Sequence, residues 1–219
     1  MLTNSIPIEE YKLDNGLQVV LHRDAATPLA HVEIWYHVGS KDEPQGRSGF
    51  AHLFEHLMFN GSQHADGEYF APLQAFGARI NGTTNTDRTN YYETVPSNVL
   101  ERALWMEADR MGFLLPALTQ AKLDNQRDVV RNERRQNYEI APYAKARQVI
   151  AEAVWDKAHP YHRLTIGSHE ELEAANLDDV RGFFNAWYAP NNATLVVSGD
   201  FDPVQAKEWI QKFFGPIPK

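Results

Sequence analysis

The sequence contains no cysteine, which excludes disulfides and thiolate metal sites but names no compartment. It has no apolar run long enough to span a bilayer. It shows no signal peptide: Met1-Leu2-Thr3-Asn4-Ser5 lacks the charged and apolar regions of one. The chain therefore reads as cytoplasmic or as trimmed of its leader, as a bacterial periplasmic protein would be. It also lacks a basic excess. With 21 Lys and Arg against 29 Asp and Glu, the formal charge is −8, which disfavours nucleic acid as a partner. There is no short repeat, no low-complexity tract and no linker. What remains is 219 residues, 43% of them hydrophobic, enough to bury a real core. The expectation is one domain spanning residues 1–219.

The most informative stretch is His52-Leu53-Phe54-Glu55-His56, inside a run without proline from Gly49 to Phe59. Its apolar neighbours predict a buried helix, with Ser48 as N-cap and Asn60-Gly61 as the stop. Positions four apart share a helix face, so His52 and His56 present two imidazoles to one point. Glu55 leans to the same side. Two neutral imidazoles and a carboxylate suit zinc with one position open to water. Such a centre acidifies water, and Glu55 can take the proton as a carbonyl is attacked. With 9 histidines in the chain, chance supplies only about 0.03 such patterns. A helix that merely carries two satisfied histidines is therefore the weaker reading.

Around this motif the pattern predicts strands about an Asn15-Gly16 turn (residues 11–21) and a strand at 29–38. His31 and His37 on that strand read as structural or surface residues. Asp66 is expected to cap a helix over 67–76, with His64 exposed in the loop before it. A hairpin follows, 79–86 with 89–96. Asn81 and Gly82 weaken a central strand and suit an edge. Two readings stay open there: a twisted hairpin with no ligand, or an edge that takes an extended peptide by strand addition. Helices are expected at 97–115, stopped by Pro116, at 119–139 capped by Thr119, and at 144–155 with Val149, Ile150 and Ala153 packing inward. His159 and His162 lie in a Pro-containing loop, and a metal role for them is disfavoured. Ser168 with Glu171 forms a capping box. A helix at 177–188, a buried strand at 193–199 and a last helix opened by Pro203 complete the chain. The order implies an α+β fold: a mostly antiparallel β-sheet covered by helices.

The stretch from Ser48 to Gly61, built on the HxxEH motif of inverzincins, resembles the N-terminal catalytic half of the pitrilysin/insulinase metallopeptidases. That group includes the mitochondrial processing peptidase and many bacterial zinc proteases. The resemblance implies one zinc per chain and a third ligand at Glu133, within Val-Val-Arg-Asn-Glu-Arg-Arg. Read alone, Glu133 is one carboxylate on a charged helix face. The resemblance also makes the segment from Gly77 to Tyr92 the edge on which substrate lies, with Asn81 touching it and Gly82 beside it. Several family members carry a glutamate where this chain has Gln126. Gln126 can support the site by hydrogen bonding but cannot carry a proton. Family members have a second half of similar fold that helps hold the substrate, and it is absent here. The implied partners are a peptide or unfolded protein substrate and a C-terminal half-domain, a partner subunit or a second copy of the chain. The rivals are a non-catalytic structural or peptide-binding member of the same fold and a metal hydrolase of small molecules.

Overall fold

The computed structural model describes residues 6–219; the Met1–Ser5 segment lies outside the described residues. Six strands form one mixed sheet in the order β1-β2-β6-β3-β5-β4. Their ranges are β1 Glu9–Lys12, β2 Gln18–Arg23, β3 Leu29–Tyr36, β4 Arg79–Thr84, β5 Thr89–Pro96 and β6 Ala193–Gly199. Every pairing is antiparallel except β2 with β6. The late strand β6 thus enters the middle of the sheet, between two early strands. No local pattern announces that placement.

Strand alternation decides the two faces. Ala30, Val32, Ile34 and Tyr36 of β3 are buried, whereas Leu29 and Trp35 are exposed on the opposite face. His31 lies on that second face, its Nδ1 3.0 Å from Thr94 Oγ1. Helices α1 (Phe50–Leu57) and α3 (Leu100–Ala117) lie directly on the buried face. Helix α4 (Gln120–Arg134) and helix α7 (Leu177–Trp187) pack against α1, and α8 (Pro203–Phe214) packs against α3. The Asn15-Gly16 turn is anchored from afar: the Asn15 amide donates to Phe214 O at 2.7 Å and Ile217 O at 2.9 Å. This closes the end of α8 against the first hairpin.

Several local expectations need correction. Only α2, Ala71–Gln74, is helical in the 67–76 stretch. Asp66 bridges Gly61 in an isolated antiparallel pair, and its carboxylate is taken by Lys122 at 2.6 Å, so it caps nothing. Helix α3 runs through Pro116. A break at Phe113 (φ −134°, ψ 23°) leaves the ring no regular i−4 carbonyl to clash with. Helix α4 ends in a π-helical turn, Arg135–Ile140. Ser168 does cap the short helix α6, His169–Glu173, by accepting from Glu171 N at 3.1 Å. The Glu171 carboxylate turns instead to Ser48 N, so the box is only half made. Helix α5 (Ala146–Val154) holds no buried residue, and Val149 and Ile150 face outward rather than into the core.

Candidate active site

Helix α1 carries the motif, and its sequence explains its pose. Phe50, Ala51, Leu53, Phe54 and Leu57 are buried. Phe54 stacks on Tyr188 with ring centroids 5.0 Å apart. That leaves His52, Glu55 and His56 on the face that opens to the cleft. Ser48 is not the N-cap. Gly49 holds that position at φ 91°, a left-handed backbone that favours glycine. The buried Glu43 carboxylate caps the helix instead, accepting from Gly49 N at 3.1 Å and Ala51 N at 2.9 Å. Burial lifts the Glu43 carboxyl to about 8, against the pull of those two backbone donors.

Glu133, from the last turn of α4, reaches the same cleft. Its Oε2 lies 3.5 Å from His52 Nε2 and 3.4 Å from His56 Nε2. One ligand atom from each of His52, His56 and Glu133 falls within 4.8 Å of the others. Burial, with His56 adding to it, lowers His52 to about 4, so it is neutral near pH 7 as a metal donor must be. His56 beside it holds the Glu133 carboxyl below its usual range, chiefly through a hydrogen bond. Among the described residues no Lys or Arg forms an ion pair with Glu55 or Glu133. His52 Nδ1 is buried without a hydrogen-bond partner among them. Two imidazoles and a carboxylate, converging with no cationic side chain, fit a divalent ion of the zinc type.

Glu55 sits beside this group rather than in it. Its Oε2 accepts from Thr84 Oγ1 at 2.6 Å, and Oε1 has no hydrogen bond among the described residues. Burial raises its carboxyl, opposed by the Thr84 bond and the His56 ring. Thr84 was not singled out in the sequence; the Thr-rich run of β4 was the available signal.

Among the described residues strand β4 is a sheet edge, paired to β5 alone. Asn81 is exposed there, its Oδ1 accepting from Gly82 N at 2.9 Å. Gly82 has a specific packing reason: a Cβ would come within 3.0 Å of Phe59 and 3.2 Å of Tyr91. Its open side is thus filled by the protein's own rings. Asn81 borders a cavity of about 500 Å³ with Glu55, His56, Phe59, Phe70 and Gln126. Gln126 donates to Asn60 Oδ1 at 3.2 Å, and Asn60 in turn donates to His56 O at 2.9 Å. Gln126 therefore acts on the end of α1 and is not hydrogen-bonded to Glu133. On the other side of the histidines, a depression of about 250 Å³ joins His52, Glu55, Thr84, Glu133 and Tyr138. The remaining histidines are engaged elsewhere. His159 Nδ1 accepts from Tyr161 N at 3.1 Å, and His162 Nδ1 lies 2.9 Å from Trp155 O. His64, half-exposed, sets Nδ1 2.5 Å from the buried Asp109.

An α+β half-domain with a His-His-Glu group at the mouth of its cleft defines the class as a metallopeptidase domain of the pitrilysin type. The family follows from two matched models. Residues 18–165 match the insulinase model (peptidase family M16), and residues 174–219 match the peptidase M16 inactive domain. The chain belongs to the insulinase family of peptidases. It is 32% identical to the zinc protease PqqE of Helicobacter pylori, over 94% of this chain and 46% of that protein. It is 29% identical to the probable zinc protease PqqL of Escherichia coli, over 94% of this chain and 23% of that protein. A crystal structure of a protease from Helicobacter pylori superposes with a TM-score of 0.90 at 31% identity, over 97% of this chain and 51% of the other. The chain thus spans from about a fifth to about half of the length of the relatives it matches. The boundary between the two models falls before β6, yet β6 lies inside the sheet between β2 and β3.

Proposed function

We propose that this chain is the zinc-bearing half of a metalloendopeptidase that hydrolyses extended peptides, folded as one unit over residues 1–219. His52, His56 and Glu133 hold one zinc ion. Glu55 is the general base. The observation that carries the reading is the convergence of three ligand atoms within 4.8 Å, with Glu55 alongside but outside the group. When bound, the ion acidifies water and polarises a carbonyl.

The chain's own residues do the rest. Thr84 fixes Glu55 Oε2, so Oε1 is the atom free to take the proton from the attacking water. The raised Glu55 carboxyl makes it a competent donor when that proton passes on to the leaving amine. The β4 edge supplies backbone donors and acceptors to an extended peptide, and Asn81 lies beside it on the cavity wall. Gln126 steadies the end of α1 through Asn60. A second half-domain would close the cleft and add donors for the developing oxyanion; lacking one such donor costs about 10²–10³ in rate.

The test measures zinc per chain and cleavage of an unstructured peptide library, before and after a second half-domain is added. One zinc per chain is expected in both wild type and Glu55→Gln, with cleavage by the variant lower by about 10²–10⁴. Folded protein that takes up no zinc overturns the His52, His56 and Glu133 assignment. Zinc-loaded Glu55→Gln that cleaves like wild type removes Glu55 as the base. Cleavage indifferent to peptide length points to a small-molecule hydrolase.

A further inference from the structure

Helix α5 is mounted with its apolar side out. Ala146, Val149, Ile150, Ala153 and Val154 recur at i, i+3, i+4, i+7 and i+8, the stripe of a core-facing helix, and all five are exposed. Val149, Ile150 and Val154 are 61–64% exposed. The opposite side, with Gln148 and Ala151, is the half-buried one. The approach to the helix continues the pattern: Ile140 is 77% and Tyr143 93% exposed. Of the fourteen large apolar side chains exposed among the described residues, six fall between Ile140 and Trp155. Apolar surface concentrated in this way marks a contact surface rather than scattered exposure.

Tyr143 adds a second, independent observation. It is the one non-glycine residue with positive φ among the described residues, at 59°. A bulky side chain in that conformation is strained and persists where its surroundings hold it. At 93% exposure nothing within this half holds its ring.

We propose that the face formed by α5, Ile140 and Tyr143 is the docking surface for the second half-domain that this chain's relatives carry. Three observations favour that occupant. The Helicobacter relative and its solved structure are each about twice as long as the stretch matched here, so a body of similar size remains to be placed. The surface is continuous with the metal group, because Glu133, Tyr138, Tyr143 and Arg147 line one depression. A partner seated there would therefore border the cleft beside Glu133 and Tyr138. And the surface is a helical stripe with no free backbone edge, which suits packing by another folded element and not strand addition by a peptide. The inference rests on the reading that a second half exists, and not on peptide cleavage.

The test compares wild type with Ile150→Glu and Val154→Glu, each as the 219-residue chain, mixed with a second half-domain as a separate polypeptide. Binding is followed by sedimentation velocity and by hydrogen exchange over 146–154, with no substrate present. Both variants are expected to keep the wild-type melting temperature and zinc content, and to bind the second half at least tenfold more weakly. In wild type, exchange over 146–154 is expected to slow when the second half is added. Variants that unfold the isolated chain overturn the proposal, since the face would then be packed within this half. Unchanged binding, or a wild-type dimer that the variants break while second-half binding persists, also overturns it. Absence of zinc would remove the function proposed above and leave this binding result unaffected.

Discussion

The chain holds two clusters of carboxylates, and they differ in where their positive charge comes from. In the core, Glu107 and Arg110 are both fully buried and form an ion pair. The Arg110 guanidinium also lies 4.1 Å from the Tyr69 ring centroid and 4.4 Å from that of Tyr91. Glu93 beside them is buried, and burial pushes its carboxyl well above the usual carboxylate range. In the cleft, Glu55 and Glu133 stand among two imidazoles with no cationic side chain in ion-pair range among the described residues. The core cluster brings its own cation; the cleft leaves the place for one. A cluster complete within the chain is structure, and one that is a charge short has the donor set that could hold an ion.

Breaking the core cluster has the largest expected effect. Arg110→Leu leaves Glu107 buried without its partner, a loss of about 3–5 kcal/mol. The urea midpoint is expected to fall accordingly, while any chain that remains folded keeps its zinc. A midpoint within error of wild type would show that Glu107 simply takes up a proton, and that the core pair contributes little.

On the proposed function the cleft takes its ion from outside, and the expected effect is smaller and adjustable. Zinc at a hundredfold excess over its dissociation constant is expected to raise unfolding stability by about 2.7 kcal/mol. Glu133→Gln should remove most of that gain, while costing the metal-free chain only the Glu133–His56 hydrogen bond. Thermal melts with zinc and with a chelator measure both. Zinc stabilisation that survives Glu133→Gln would place the ion elsewhere.

Acid separates the clusters further. His52 is lowered to about 4 by burial, below the roughly 6.5 of an exposed histidine. The unfolded chain therefore binds this proton at higher pH than the folded chain does. Its penalty is absent above pH 6.5, grows as pH falls, and is complete below about 4. His52→Gln is expected to flatten the metal-free stability profile across that window. An unchanged slope would assign the acid loss to other groups.

These contrasts also mark how far the sequence could be read. The His52, Glu55 and His56 spacing is local, and a helix turns it into one face without help from the rest of the fold. Glu133 is distant in the chain and sits in a charged stretch. Only resemblance to a family singled it out, since no periodicity connects α4 to α1. The apolar stripe of α5 was legible, but its direction was not. Periodicity reports that a face is apolar and is silent on whether this half or another covers it. The Asp66 helix failed for a similar reason: a lysine on α4 claims the carboxylate that would have capped it. Likewise Ser48 lost the N-cap position of α1 to Gly49 and the Glu43 side chain, a contact that no local pattern displays.

Glu43 falls between the two clusters and gives the smallest expected effect. It is buried like Glu107, yet its hydrogen-bond donors are the Gly49 and Ala51 amides, and among the described residues no guanidinium is in ion-pair contact with it. Burial outweighs those donors and lifts the carboxyl to about 8 from its ordinary value near 4.5. The folded chain thus holds this proton more tightly than the unfolded chain, the reverse of His52. Its contribution is full below pH 4.5 and is lost as pH rises through about 8. Glu43→Gln keeps an oxygen for one backbone donor and cannot ionise. Near pH 5 the variant is expected to lie within about 1 kcal/mol of wild type, the worth of a single cap bond. Above pH 8 the difference should shrink or reverse, because only wild type must bury a charge there. Denaturant midpoints at pH 5, 7 and 9 measure this crossing. Parallel profiles for the two proteins would mean that two backbone amides alone suffice to keep a buried carboxylate charged.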